Sequence, residues 1–197
     1  MVILPVLETK RLVLRPIALE DKEAVFEYAK NPLVGPNAGW KPHQSSNESL
    51  MFIEYCIKKR EYGQPGNYAI IYKENNKMIG TIEVHSFSGY KGEIGFVLNP
   101  DYWNKGIMTE AAKMLIIYAF EVLEIKRLAY NYFLFNERSK KVCEKLEFVF
   151  EGVLRKKFKM YDGRFIDEAV NSLTDDDYYN GKLTWLKAFK EELETIK

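Results

Sequence analysis

Cysteine and histidine are nearly missing: Cys56, Cys143, His43 and His85 are scattered over 197 residues. They are too few for a disulfide framework and share no zinc-ligand spacing, so a reducing compartment and a fold without metal are expected. Long apolar runs are also absent. The longest, Met114 to Phe120, falls far short of the ~20 residues a membrane span needs. The apolar stretch Met1 to Leu7 has no basic segment before it and is broken by Glu8, Lys10 and Arg11, unlike a secretory leader. Excess charge is lacking as well: 29 Lys+Arg against 28 Asp+Glu leave +1, with no global pull toward nucleic acid or an anionic membrane. No repeat, low-complexity tract or linker divides the chain. These absences leave one cytoplasmic domain over residues 1–197, because single cores grow to about 250 residues.

Hydrophobic periodicity then places the elements. A strand is expected over Arg11 to Arg15, ended by Pro16, and a helix over Leu19 to Lys30, stopped by Asn31-Pro32. Pro32 to Gln44, carrying Gly35, Pro36, Gly39 and Pro42 around Trp40 and His43, reads as a long loop of the kind that carries function. Ser45-Ser46-Asn47-Glu48 has the form of a capping box opening a helix through Arg60. Strands over Tyr68 to Lys73, Met78 to His85 and Glu93 to Leu98 follow, the first pair joined at Asn75-Asn76.

Ile107 to Leu123 carries the strongest helical stripe, from Met108 and Ala111 through Leu115 and Ala119 to Leu123. After it come a strand over Arg127 to Phe133, a short helix over Asn136 to Leu146, and a hairpin of Phe148 to Met160 with Arg164 to Leu173 around Asp162-Gly163. The tail 175–197 reads as a C-terminal helical extension. The order β-α-α-β-β-β-α-β-α-β-β describes an α+β layer rather than a doubly wound parallel sheet.

The segment richest in chemistry is strand, turn, helix: Glu93 to Leu98, Asn99 to Asn104, then Lys105-Gly106-Ile107-Met108-Thr109-Glu110. A helix start offers N–H groups without intrahelical partners and a partial positive charge, and a glycine there lets a phosphate approach the backbone. Such starts are common, so this feature alone does not decide a function.

In its full context the segment resembles motif A of the GNAT N-acetyltransferase superfamily, in the RimJ/RimL-like branch of ribosomal-protein N-terminal acetyltransferases. The resemblance runs from Leu7-Glu-Thr-Lys-Arg-Leu-Val-Leu-Arg-Pro16 through Ile79-Gly80-Thr81 and Tyr102-Trp-Asn-Lys-Gly-Ile-Met-Thr-Glu-Ala111. It continues through Asn136-Glu-Arg-Ser139, Lys145-Leu-Glu-Phe148, Glu151-Gly152-Val153-Leu154 and Asp162-Gly163. It implies a splayed, mainly antiparallel mixed sheet flanked by helices, with acetyl-CoA as co-substrate. The diphosphate would lie against the backbone of Trp103, Asn104, Lys105, Gly106, Ile107, Met108 and Thr109. The pantetheine would pair with Phe96, Val97 and Leu98 and meet Asn136. Trp103 stands where the general superfamily has Gln or Arg, though Tyr-Trp is usual in this branch, and Asn104, Met108 and Glu147 each stand where a small residue or glycine is usual.

The reaction implied is direct attack of an amine on a thioester, which needs a proton acceptor and benefits from a donor to the departing sulfur. Glu93, on the face of Gly95 and Val97, is the expected acceptor, with a solvated strand carboxylate as the alternative. Ser139 is the expected sulfur partner, with a helix-start hydroxyl as the alternative. Tyr132 and Tyr161 are weaker candidate donors. Cys56 and Cys143 read as inert core thiols, His43 as a turn residue or acceptor-site lining, and Arg155, Lys156, Lys157 and Lys159 as a solvated face. The expected acceptor is a protein N-terminal amine. A small amine such as a polyamine, amino sugar or antibiotic, and a non-catalytic acyl-CoA sensor, stand as rivals. The oligomeric state is left open between monomer and homodimer.

Overall fold

The structure, a computed structural model, describes residues 4–196. Met1 to Ile3 of the apolar N-terminal stretch and Lys197 of the expected tail helix lie outside the described residues. The strands are β1 (Leu7–Glu8), β2 (Leu12–Pro16), β3 (Asn67–Tyr72), β4 (Lys77–His85), β5 (Lys91–Leu98), β6 (Arg127–Phe133), β7 (Val149–Lys159) and β8 (Phe165–Thr174). The helices are α1 (Lys22–Ala29), α2 (Ser46–Glu61), α3 (Ile107–Glu121), α4 (Glu137–Lys145), α5 (Asp175–Tyr179) and α6 (Leu186–Glu194). All strands join one sheet in the order β1-β2-β3-β4-β5-β6-β8-β7. Its pairs are antiparallel except β5 with β6, which run parallel.

Alternation along the strands sends side chains to two separate cores. In β3, Tyr68 and Ile70 join Leu115, Ile116, Ala119 and Phe120 of α3, while Ala69 and Ile71 pack with Val25, Tyr28, Ile53 and Cys56 of α1 and α2. The predicted stripe is buried from Met108 to Phe120, but α3 ends at Glu121, so Leu123 lies beyond the helix and is only partly buried. Leu115 and Ile116 are wholly inaccessible, each worth about 1.5–3 kcal/mol of apolar burial. That anchorage gives the N-terminus of α3 a rigid support.

Four local expectations are corrected. The two-residue β1 was not foreseen, being too short to show alternation. The helix expected from Leu19 starts with a 3-10 turn, Leu19–Asp21, where the Asp21 carboxylate binds Arg15 at 2.6 and 2.8 Å and the Ala18 N–H at 2.9 Å. Ser45 makes no capping bond with its side chain, and Glu48 instead accepts from the Gln44 N–H at 3.0 Å. The tail is not one helix. Thr174 and Asp177 form a capping box that starts α5, and Asn180-Gly181, with Gly181 at φ +79°, breaks the chain before α6.

Candidate active site

The hydrogen bonding of the two parallel strands stops early. Strands β5 and β6 pair only at Lys91↔Arg127, Gly92↔Leu128 and Glu93↔Ala129, although β5 continues to Leu98 and β6 to Phe133. Beyond Glu93 the sheet opens into a cleft of about 420 Å³. Phe96, Val97 and Leu98 line one wall and Asn136 and Ser139 the other, while Trp103, Asn104, Gly106, Ile107, Met108 and Thr109 close the end.

The end wall is shaped by two left-handed residues in three, Asn104 at φ +60° and Gly106 at φ +71°. Asparagine reaches this region more easily than most side chains, so the departure at position 104 is accommodated. Gly106 is the N-cap of α3, and the first N–H groups of that helix have no partner within it. Met108 is buried in the core cluster and also lines the cleft.

Trp103 has a local reason. Its indole N–H donates to the Leu98 carbonyl at 2.9 Å, pinning the loop to the end of β5 and using one carbonyl that the pantetheine pairing was expected to reach. The guanidinium of Arg138, on α4, lies 4.1 Å from the Trp103 ring centroid, a cation–π contact joining the two sides of the cleft. Lys105 does not line the cleft: its ammonium sits over Tyr102, 5.3 Å from the ring centroid, and its carbonyl accepts from Arg11 at 2.9 Å.

On the opposite wall, Asn136 caps α4 by accepting from the Ser139 N–H at 3.2 Å and donates to the Asn37 carbonyl at 3.1 Å. Its amide therefore ties the 32–44 loop to α4. The Ser139 hydroxyl lies 3.0 Å from the Tyr130 hydroxyl, whose ionisation burial pushes far above the usual phenol range. Both readings of Ser139 meet here, at a helix start and on the cleft wall.

Glu93 is not on the cleft wall. It stands in the last parallel pair, where the strands begin to part, with a carboxylate oxygen 3.8 Å from His85 Nε2. Register puts Glu83, Gly95, Glu93, Ala129, Phe133 and Glu168 on one face of the sheet. Lys59 of α2 pairs with Glu83 there at 2.6 Å. Burial raises the Glu168 carboxyl and the charge of Glu93 raises it further, against a lowering by Lys157. This is the face that α1 and α2 cover, opposite α3.

Other candidates stand apart. Tyr132 lines a second cavity with Cys143, and Tyr161 is exposed at the tip of the β7–β8 hairpin. Burial pushes both thiols up to about 12, as inert core cysteines require. The His43 ring bonds Ser49 at 2.8 Å, packs on Trp40 at 5.2 Å and is held below its ordinary pKa by burial.

Sequence reasoning missed part of the cleft. Leu33, Val34, Asn37 and Ala38 bring the first half of the long loop onto it, and Arg138, Lys141 and Lys145 add a basic rim from α4. The i, i+3, i+7 spacing of those cations was a readable signal of one helix face.

The acetyltransferase (GNAT) domain family matches residues 11–149. The N-acetyltransferase p20 of Bacillus licheniformis, itself uncharacterized, is 32% identical over 174 residues, 87% of this chain and 97% of that protein. Among solved structures, a GNAT-family acetyltransferase from Bacillus anthracis superposes with a TM-score of 0.78 at 25% identity, covering 87% of this chain and 99% of that one. Some relatives carry an acceptor in their names. The "Putative ribosomal N-acetyltransferase YdaF" of Bacillus subtilis is 33% identical over 108 residues, 54% of each chain, and spermidine N(1)-acetyltransferase of Escherichia coli is 25% identical over 147 residues, 74% of this chain and 76% of that one. The parted strands, the left-handed loop at the start of α3 and these likenesses lead to one assignment: the chain belongs to the GNAT acetyltransferase family.

Proposed function

We propose that this acetyltransferase moves an acetyl group from acetyl-CoA to a primary amine by direct attack, and that the acceptor is a protein N-terminal amine. The observation that carries the donor half is the cleft itself. Beyond Glu93 the β6-facing edge of β5 has no strand partner, and an amide-bearing pantetheine arm matches such an edge. The chain's residues fit the rest of the donor: the N–H groups at the start of α3 and the rim of Arg138, Lys141 and Lys145 suit phosphate. Acetyl-CoA supplies an activated thioester, so the protein's tasks are to orient the acetyl carbonyl and to move protons.

In this reading a backbone N–H of the Val97 to Leu98 region stabilises the developing oxyanion. Glu93, at the fork of the strands, takes the proton of the attacking amine through a water, with His85 as its neighbour. Ser139 donates toward the sulfur, its hydroxyl oriented by Tyr130.

The similarity to YdaF and to the RimJ/RimL-like branch supports an N-terminal amine. A polyamine is a second reading, favoured by Glu83, Glu93 and Glu168 together on the sheet face that α1 and α2 cover and by the similarity to the spermidine enzyme. Measuring CoA release against a panel of free N-terminal peptides and polyamines separates them. Peptide turnover is the expected result, and turnover of polyamines alone would move the assignment to the second reading. CoA binding without turnover of any amine would point to a sensor. Glu93→Gln and Ser139→Ala should each lower turnover at least tenfold, and unchanged rates in both would remove these residues from the chemistry.

A further inference from the structure

The N-terminal motif Thr9-Lys10-Arg11 lies almost a hundred residues from the phosphate loop in sequence yet converges on its underside. Glu110, in the first turn of α3 and only 9% exposed, accepts from the Thr9 hydroxyl at 2.6 Å, from the Arg11 N–H at 3.0 Å and from Arg11 Nε at 2.6 Å. The same guanidinium reaches on through Nη1 to the Lys105 carbonyl at 2.9 Å. Its Nη2 lies 3.6 Å from where a Cβ on Gly106 would stand.

Two consequences follow from this geometry. In a trans peptide the C=O and the next N–H point in opposite directions. With the Lys105 carbonyl held toward Arg11, the Gly106 N–H is turned away from Arg11, and Gly106 lines the cleft. The second consequence is electrostatic. A carboxylate buried one turn inside a helix start opposes the partial positive charge there and repels an anion bound above it. Arg11 neutralises that carboxylate where it stands.

We propose that Arg11, locked by Glu110, which Thr9 holds in turn, is a positioning residue for donor binding: it sets the Lys105–Gly106 peptide so that the loop presents its N–H to a diphosphate, and it cancels the charge of Glu110 beneath that site. This rests on the acetyl-CoA reading above. Arg11 acts through the loop, so its effect is confined to ligands that carry the diphosphate.

The test uses the full chain, with binding of CoA and of pantetheine, which lacks the diphosphate, followed by tryptophan fluorescence. Arg11→Gln is expected to raise the Kd for CoA at least tenfold and to change the Kd for pantetheine less than twofold. Arg11→Lys keeps the charge beside Glu110 without the second nitrogen that reaches Lys105. It should retain the thermal stability of the wild type within a few degrees and still raise the CoA Kd at least threefold. Equal loss of both ligands would reveal a merely structural role and overturn the proposal, as would an unchanged CoA Kd in Arg11→Lys. Failure of the wild type to bind CoA would instead overturn the donor reading, and the positioning role with it.

Discussion

Gly106 offers the sharpest test of how the loop at the start of α3 is built. A Cβ added there would meet only Arg11 Nη2, at 3.6 Å, an ordinary contact, so crowding within the protein does not explain the glycine. Its φ of +71° does, because a left-handed backbone costs L residues about 1–2 kcal/mol, most for β-branched ones and least for asparagine. Asn104 already shows that asparagine is accepted two residues earlier, at φ +60°. The strain can appear in two ways. If the loop holds its shape the folded state loses stability; if it relaxes, CoA binding must restore the shape and affinity falls tenfold for each ~1.4 kcal/mol. Calorimetric CoA affinity and thermal denaturation, measured together on Gly106→Val, Gly106→Ala and Gly106→Asn, capture both. Valine should weaken CoA more than tenfold or lower the melting temperature by an equivalent amount, alanine should do about half as much, and asparagine should stay within about threefold of wild type. Valine behaving as wild type would refute the placement of the diphosphate loop. Asparagine as damaging as valine would refute the backbone-angle reasoning and show that any side chain at 106 collides with the phosphate.

Two further predictions concern stability. Glu147, left-handed at φ +63°, accepts hydrogen bonds from the Thr184 N–H at 2.8 Å and from the Thr184 hydroxyl, tying the C-terminal segment to the end of α4. Glu147→Ala keeps the strain and loses about 1–2 kcal/mol of charged hydrogen bonding, whereas Glu147→Gly also relieves the backbone and should melt higher than the alanine variant in thermal scans; the reverse order would sink this account. The second involves pH. Arg127, through bonds of 2.7 and 2.5 Å, and Ser172, at 2.8 Å, hold the Glu151 carboxyl down at about 2 against an ordinary 4.5. A depressed folded pKa gives stability that is complete above the ordinary value and is lost as pH falls from 4.5 through 2. Arg127→Gln should therefore melt below wild type at pH 6, by roughly 1–3 °C for a solvent-exposed pair, and the gap should close toward pH 2; a gap that widens in acid would contradict the assignment.

Periodicity and turn chemistry were enough to place the strands from β2 onward and α3 with its buried stripe, because those patterns depend on near neighbours. The ordered motifs from Leu7 to Gly163 pointed to the family and to Gly106 as a helix start. The tail was misread for a local reason: Leu183, Leu186, Phe189 and Leu193 have helical spacing, but Asn180-Gly181 ends the first turn and Trp185 and Phe189 are buried by the body of the protein. What no window of sequence could contain is the coincidence of distant segments. After Glu93, β5 and β6 part while each stays paired with its other neighbour, β5 with β4 out to Leu98 and β6 with β8 out to Phe133. Arg11 meets Glu110, and Asn136 meets Asn37, across 99 residues, because a hydrogen bond needs proximity in space and is indifferent to distance along the chain.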